Sequence, residues 1–93
     1  MTKDIAFILD NSIESEVVKT QIKRSGGKLL DNCKEFDVYQ NVEEGKKSIA
    51  YKLTFKDPNK TLVEEEVMQV FNKIVKDVVE KIGAKLRGDI VIN

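Results

Sequence analysis

The sequence predicts an α+β fold of the split-βαβ kind: one four-stranded antiparallel sheet with both helices on a single face. Three observations carry that prediction. Period-two alternation runs through residues 46–56, where Ile49, Tyr51, Leu53 and Phe55 take one side and Ser48, Ala50, Lys52 and Thr54 the other. An apolar stripe at 3,4 spacing follows it, made of Val67, Val70, Phe71, Ile74, Val78 and Ile82. The same strand and helix signals occur in reverse duty earlier in the chain, so the order reads β-α-β-β-α-β with a tight hairpin in the middle.

The first strand spans residues 3–10, with Ile5, Phe7 and Leu9 on one face, Ala6 and Ile8 on the other, and the turn-forming Asp10-Asn11-Ser12 at its end. The first helix follows, with Asn11 or Ser12 as its cap, Glu14 and Glu16 in its first turn, and Val17, Val18 and Ile22 toward the core. Gly26-Gly27 ends it. The second strand covers about 29–39, with Phe36 and Val38 pointing to the helices and Glu35, Asp37 and Tyr39 away from them. Leu29 and Cys33 break that parity, which places a bulge in the early half. Residues 40–45 form a polar hairpin loop closed by Gly45, and the third strand is the alternating segment already described. Asp57-Pro58-Asn59 stops it. Thr61-x-x-Glu64 reads as a capping box for the second helix, whose dipole Glu64, Glu65 and Glu66 complement and which Gly83 terminates. A short strand over 84–88 completes the sheet, and residues 89–93 are a tail. Helices on one face leave the other open, and that open face collects Ala6, Asp37, Tyr39, Ser48, Ala50 and Lys52.

Composition narrows the functional classes. Ninety-three residues make one domain with a modest core, too small for separate catalytic and substrate modules. No apolar run approaches the roughly 18 residues of a membrane span, and no signal peptide is recognisable, so the expected compartment is the cytoplasm. Sixteen basic and sixteen acidic side chains cancel, so any nucleic-acid binding must be local and not driven by net charge. There is no histidine, which removes the usual acid/base at neutral pH and the commonest metal ligand.

The open face is the candidate site. Small floors (Ala6, Ala50), hydrogen-bonding groups (Asp37, Ser48), a planar ring (Tyr39) and cations (Lys46, Lys47, Lys52) are what recognition of an unpaired RNA base needs: a surface to stack on, partners for its edge and charge for its phosphate. A bland reading stands beside it, because any solvated antiparallel sheet shows polar alternation. Lys46 and Lys47 equally serve as edge protection, and Arg87 either reaches phosphate or pairs with an acidic neighbour. Cys33 has no histidine to activate it and no second cysteine to pair with, so it reads as a filler. Gly26-Gly27 ends a helix instead of opening one, so it is no phosphate loop. No catalytic site and no metal site are expected on this chain.

Four ordered blocks also carry a resemblance: Lys3-Asp4-Ile5-Ala6-Phe7-Ile8-Leu9-Asp10, Asp37-Val38-Tyr39, the run from Glu44 to Pro58 closed by Lys60-Thr61-Leu62, and Ala84-Lys85-Leu86-Arg87-Gly88. Together they resemble the C-terminal ferredoxin-fold anticodon-binding domain of the bacterial phenylalanyl-tRNA synthetase beta subunit. The resemblance implies a ferredoxin-like fold over residues 1–88 and RNA binding on the exposed sheet face. Its partners would be the tRNA anticodon stem-loop, the rest of the beta subunit and the alpha subunit. Aminoacylation, with its ATP and magnesium, would lie on other parts of the synthetase, and the isolated domain would be a monomer without a cofactor. Asp37 would supply a carboxylate, Tyr39 a stacking ring, Ser48 a group on the facing strand and Ala6 a floor. The sequence departs from the family in a shorter hairpin after Tyr39, a longer tail after Gly88 and no leading segment, which fits an excised domain. A small-molecule-sensing or protein-interaction module on the same fold is the alternative. An acyl-phosphate hydrolase would need an anion-cradling loop that Asp10-Asn11-Ser12 does not provide.

Overall fold

A computed structural model describes residues 1–40 and 43–87. Strands β1 (Thr2–Asp10), β2 (Leu30–Gln40), β3 (Lys46–Phe55) and β4 (Lys85–Leu86) form one antiparallel sheet in the order β2-β3-β1-β4. Helices α1 (Ser15–Gly26) and α2 (Glu64–Ile82) lie together on one face, and a 3-10 turn, Gly27–Leu29, joins α1 to β2. The expected ferredoxin-like architecture is the one observed. The final strand is shorter than expected; Gly88 and the tail at 89–93 lie outside the described residues, as do Asn41 and Val42 of the hairpin loop.

β3 is the middle of the structure. It pairs with β1 from Lys46 opposite Asp10 to Thr54 opposite Thr2, and with β2 along its other edge. Its alternation then divides the molecule. Ile49, Tyr51, Leu53 and Phe55 join Ile5, Phe7 and Leu9 beneath Val18 and Ile22 of α1 and Val67, Phe71, Ile74 and Val78 of α2, all of them buried. Gly83, at φ 82°, ends α2 and sends its backbone N–H to the Val79 carbonyl at 3.1 Å. At the end of α1, a Cβ on Gly26 would stand 2.6 Å from Cβ of Leu30, so only glycine lets the chain fold back this closely.

Polar contacts tie the helices to the sheet. The Tyr51 hydroxyl lies 3.0 Å from Ser15 Oγ, which in turn donates to the Glu35 carboxylate. Between the helices, Ser25 Oγ donates to Asp77 at 2.6 Å and accepts from Gln21 at 3.0 Å. Lys3, the one charged β1 side chain turned toward the helices, is only 4% exposed and ion-pairs with Glu64. A buried ammonium without such a partner would be costly.

Several local expectations fail for identifiable reasons. Glu14, not Asn11 or Ser12, stands at the N-cap position of α1, without a side-chain capping bond, and the Asp10 carboxylate captures both the backbone N–H (3.2 Å) and the hydroxyl (3.1 Å) of Ser12 in a turn. Val17 is 51% exposed, since Val18 and Ile22 already face the sheet and position 17 rotates away from it. The Thr61–Glu64 capping box is absent: α2 starts only at Glu64 after the buried Leu62, and that carboxylate is drawn to Lys3. Most consequential, Phe36 and Val38 are not core residues. The register with β3 slips between Glu35 and Asp37, after an earlier shift between Leu30 and Asn32, so two residues of β2 answer one of β3. Phe36 is 47% exposed and lies beside Lys52, on the open side. Val38 keeps its place opposite Ile49 but is 39% exposed on the edge strand.

This division of β3 gives a direct expectation for stability. Leu53→Ala should cost about 2–5 kcal/mol in chemical denaturation through lost burial and a residual cavity, whereas Lys52→Ala should stay within about 1 kcal/mol. Equal losses would contradict the assignment of faces.

Candidate nucleic-acid interface

The sheet face away from the helices is built from the even positions of β3 and their partners. Ala6 stands opposite Ala50, Ala50 opposite Asp37, Ser48 between Ile8 and Tyr39, and Lys46 opposite Asp10. Seven of the eight expected residues therefore share this face: Ala6, Asp37, Tyr39, Lys46, Ser48, Ala50 and Lys52. Lys47 does not. It pairs with Leu9 and takes that residue's parity, so its side chain belongs to the helix side of the sheet end.

Ala6, Ser48 and Ala50 form a floor that is almost closed to solvent, while Tyr39 stands above it at 46% exposure. Arg87 explains part of that cover. Its backbone N–H donates to the Ala6 carbonyl at 3.0 Å, so it leaves the sheet beside β1. Its guanidinium carbon then lies 5.5 Å from the Tyr39 ring centroid, and Nη1 donates to Ser48 Oγ at 3.3 Å. Only small side chains on β1 and β3 permit an arginine to cross the sheet this low. The sequence offers Arg87 either a phosphate or an acidic partner; nothing in it shows the side chain reaching across to Tyr39.

Asp37 lies two residues before Tyr39 on the same face, opposite Ala50. The Tyr39 phenol is pushed above its ordinary value chiefly by the hydrogen bond it makes to the Asp37 carboxylate and by that group's negative charge. Lys52 extends the same pattern along the strand: its ammonium is 3.1 Å from Asp4 Oδ1 and 5.7 Å from the Phe36 ring centroid. Phe36 is the residue that sequence parity missed, because one bulge moved it from the expected core to this surface. Cys33, by contrast, is a buried filler whose thiol is pushed up to about 11 mainly by burial. Among the described residues no cluster of histidine, cysteine or acidic side chains could hold a metal ion. Of the three carboxylates at the start of α2, Glu64 pairs with Lys3 and Glu66 with Lys60, leaving no acid/base couple there.

The strand order β2-β3-β1-β4 with both helices on one face agrees with what comparison with known proteins finds. The family model described as the ferredoxin-fold anticodon binding domain matches residues 1–87. The chain belongs to that family. It is 44% identical over 89 residues to the phenylalanine–tRNA ligase beta subunit of Streptococcus pyogenes, a match covering 94% of this chain and 11% of that protein. Against the same subunit of Bacillus subtilis the identity is 42% over 90 residues, with 95% of this chain and 11% of the relative covered. For the Clostridium acetobutylicum subunit it is 40% over 89 residues, with 94% and 11% covered. The anticodon-binding-domain chain thus spans about a tenth of the length of the relatives it matches. Among its described residues no helix is long and apolar enough to cross a membrane.

The two tyrosines make the geometry of this face and of the core measurable. In an absorbance titration Tyr39 should ionise above its ordinary value of 10.0, and Tyr51, whose burial pushes it up to about 12, should ionise last. Asp37→Asn should lower only the Tyr39 step. Because the folded state holds the protonated phenols, stability should be intact below about pH 10 and fall as pH rises toward 12. A Tyr51 step at the ordinary value would contradict its burial.

Proposed function

We propose that the chain is the anticodon-binding accessory domain of a phenylalanine–tRNA ligase beta subunit, and that its open sheet face receives unpaired anticodon bases. The observation that carries this reading is the half-exposed Tyr39 ring, held upright at one end of a floor of small side chains. Stacking needs an accessible planar ring that is already fixed, and the Arg87 guanidinium, 5.5 Å from its centroid, steadies this one.

The hydrogen-bonding groups around it are complementary. Asp37, when ionised, offers lone pairs to donors on a base edge. Ser48 Oγ accepts from Arg87 and is almost closed to solvent, so its proton reaches a base acceptor once the Arg87 side chain is displaced. A base whose edge presents both a donor and an acceptor fits between them. Ala6 and Ala50 let it lie close to the sheet, while Lys46 and Lys52 are the cations on the same face for its phosphates. Lys47, on the helix side, contributes at most to the field at the hairpin end.

The chemistry of the ligase would lie elsewhere. This chain contains no histidine, and aminoacylation with ATP and magnesium would be performed by other parts of a synthetase in the cytoplasm, with the remainder of the beta subunit and the alpha subunit as protein partners. With a net charge of zero, binding would rest on a few local cations and be weak and salt-sensitive in the isolated chain.

Loss of a stacking ring is worth about 1–3 kcal/mol, so Tyr39→Ala should weaken binding of a phenylalanine tRNA roughly 5- to 150-fold, and Tyr39→Phe should retain most of the affinity. Folding stability should barely change. A Tyr39→Ala chain with a much lower melting temperature and unchanged affinity would show the ring to be structural.

A further inference from the structure

Phe36 is an apolar ring left 47% exposed in the middle of an edge strand, where the register slip turns it away from a helix side on which it could have been buried. It is also not left to solvent alone. The Lys52 ammonium, anchored by Asp4 at 3.1 Å, stands 5.7 Å from the ring centroid. Tyr39, three residues further along β2, has the same arrangement, with the Arg87 guanidinium at 5.5 Å. The open face thus carries two exposed rings on one strand, each with a cation above it.

We propose that Phe36 is a second base-stacking platform, so that this face holds two unpaired RNA bases, one on Tyr39 and one on Phe36. The inference rests on the RNA-binding reading of the face and adds to it a second base site. Three residues of extended chain separate the two rings by about 10 Å, which sets them side by side and gives each its own base. Four-stranded sheets that present aromatics in this way stack two or three bases of a single strand. The cations strengthen the case: a lysine or arginine over a ring meets the stacked base or the phosphate next to it without a change of fold. Phe36 has no hydrogen-bonding group, so its base is held by stacking alone, and this second site tolerates different bases. Tyr39, with Asp37 and Ser48 at hand, is the more selective of the two.

The test uses the anticodon stem-loop of a phenylalanine tRNA at low salt, read by fluorescence anisotropy, with loop variants that are abasic at one position each. Phe36→Leu keeps an apolar side chain and the fold but removes the planar ring. Both Phe36→Leu and Phe36→Ala should weaken binding of the intact loop roughly 5- to 150-fold. Against one abasic loop that loss should vanish, and the loop position should differ from the one that silences Tyr39→Ala. If Phe36→Leu binds the intact loop like the wild type while Tyr39→Ala is weakened, the second platform is refuted and the RNA-binding face stands. If neither variant changes affinity, the reading of the face itself fails, and the inference with it.

Discussion

Strand β3 is bonded along both edges and covered by helices on one side only, and most of the molecule's organisation depends on that. Its odd positions are committed to a core that draws on β1, α1 and α2 together, and its even positions are barred from that core. A slip of a single residue in this strand would send Tyr51, Leu53 and Phe55 into solvent and Lys52 under the helices, so burial fixes the register firmly. The same constraint delivers Ser48 and Ala50 to the open face. Residues proposed to meet RNA are therefore positioned by the residues that make the core, and the proposed binding surface comes at little extra conformational cost.

β2 uses its edge position differently. Paired on one side only, it can absorb an extra residue without disturbing a second neighbour, and the slip between Glu35 and Asp37 does this. Cys33 and Glu35 stay on the helix side, opposite Leu53 and Tyr51, while Asp37 and Tyr39 are delivered to the open side, opposite Ala50 and Ser48. Without the extra residue the parity of one of these pairs would be wrong. The bulge reconciles a core requirement with a surface requirement within one strand, and the exposed Phe36 ring is its visible consequence.

What could be read from the sequence, and what could not, follows the same physics. The β3 alternation, the α2 stripe and the ends of both helices at glycine are repeated or strongly local signals, and they were legible. Ala6, Ser48, Ala50 and Lys52 follow from parity within regular strands, Asp37 and Tyr39 from parity in the part of β2 beyond its bulge, and Lys46 from its place at the start of β3. The misses are single-residue events decided by tertiary partners. Phe36 depended on where the bulge fell, and its extra residue carries no compositional mark. The Thr61–Glu64 box lost to Lys3, a partner 61 residues away that needs the same carboxylate. Arg87 depended on how far a long side chain could travel over two alanines and a serine. Lys47 was grouped with Lys46 by adjacency, although neighbours in a strand face opposite ways.

The central claim is that one sheet face, and not the helical side, is the working surface of this domain. Amide chemical-shift mapping tests it most directly: the isotope-labelled chain is titrated with the anticodon stem-loop of a phenylalanine tRNA. The account predicts shifts concentrated at Tyr39, Ser48 and Ala50 and along neighbouring β2, with the α2 core stripe from Val67 to Val78 unmoved. Shifts gathered on α1 and α2 while β2 and β3 stay silent would contradict it.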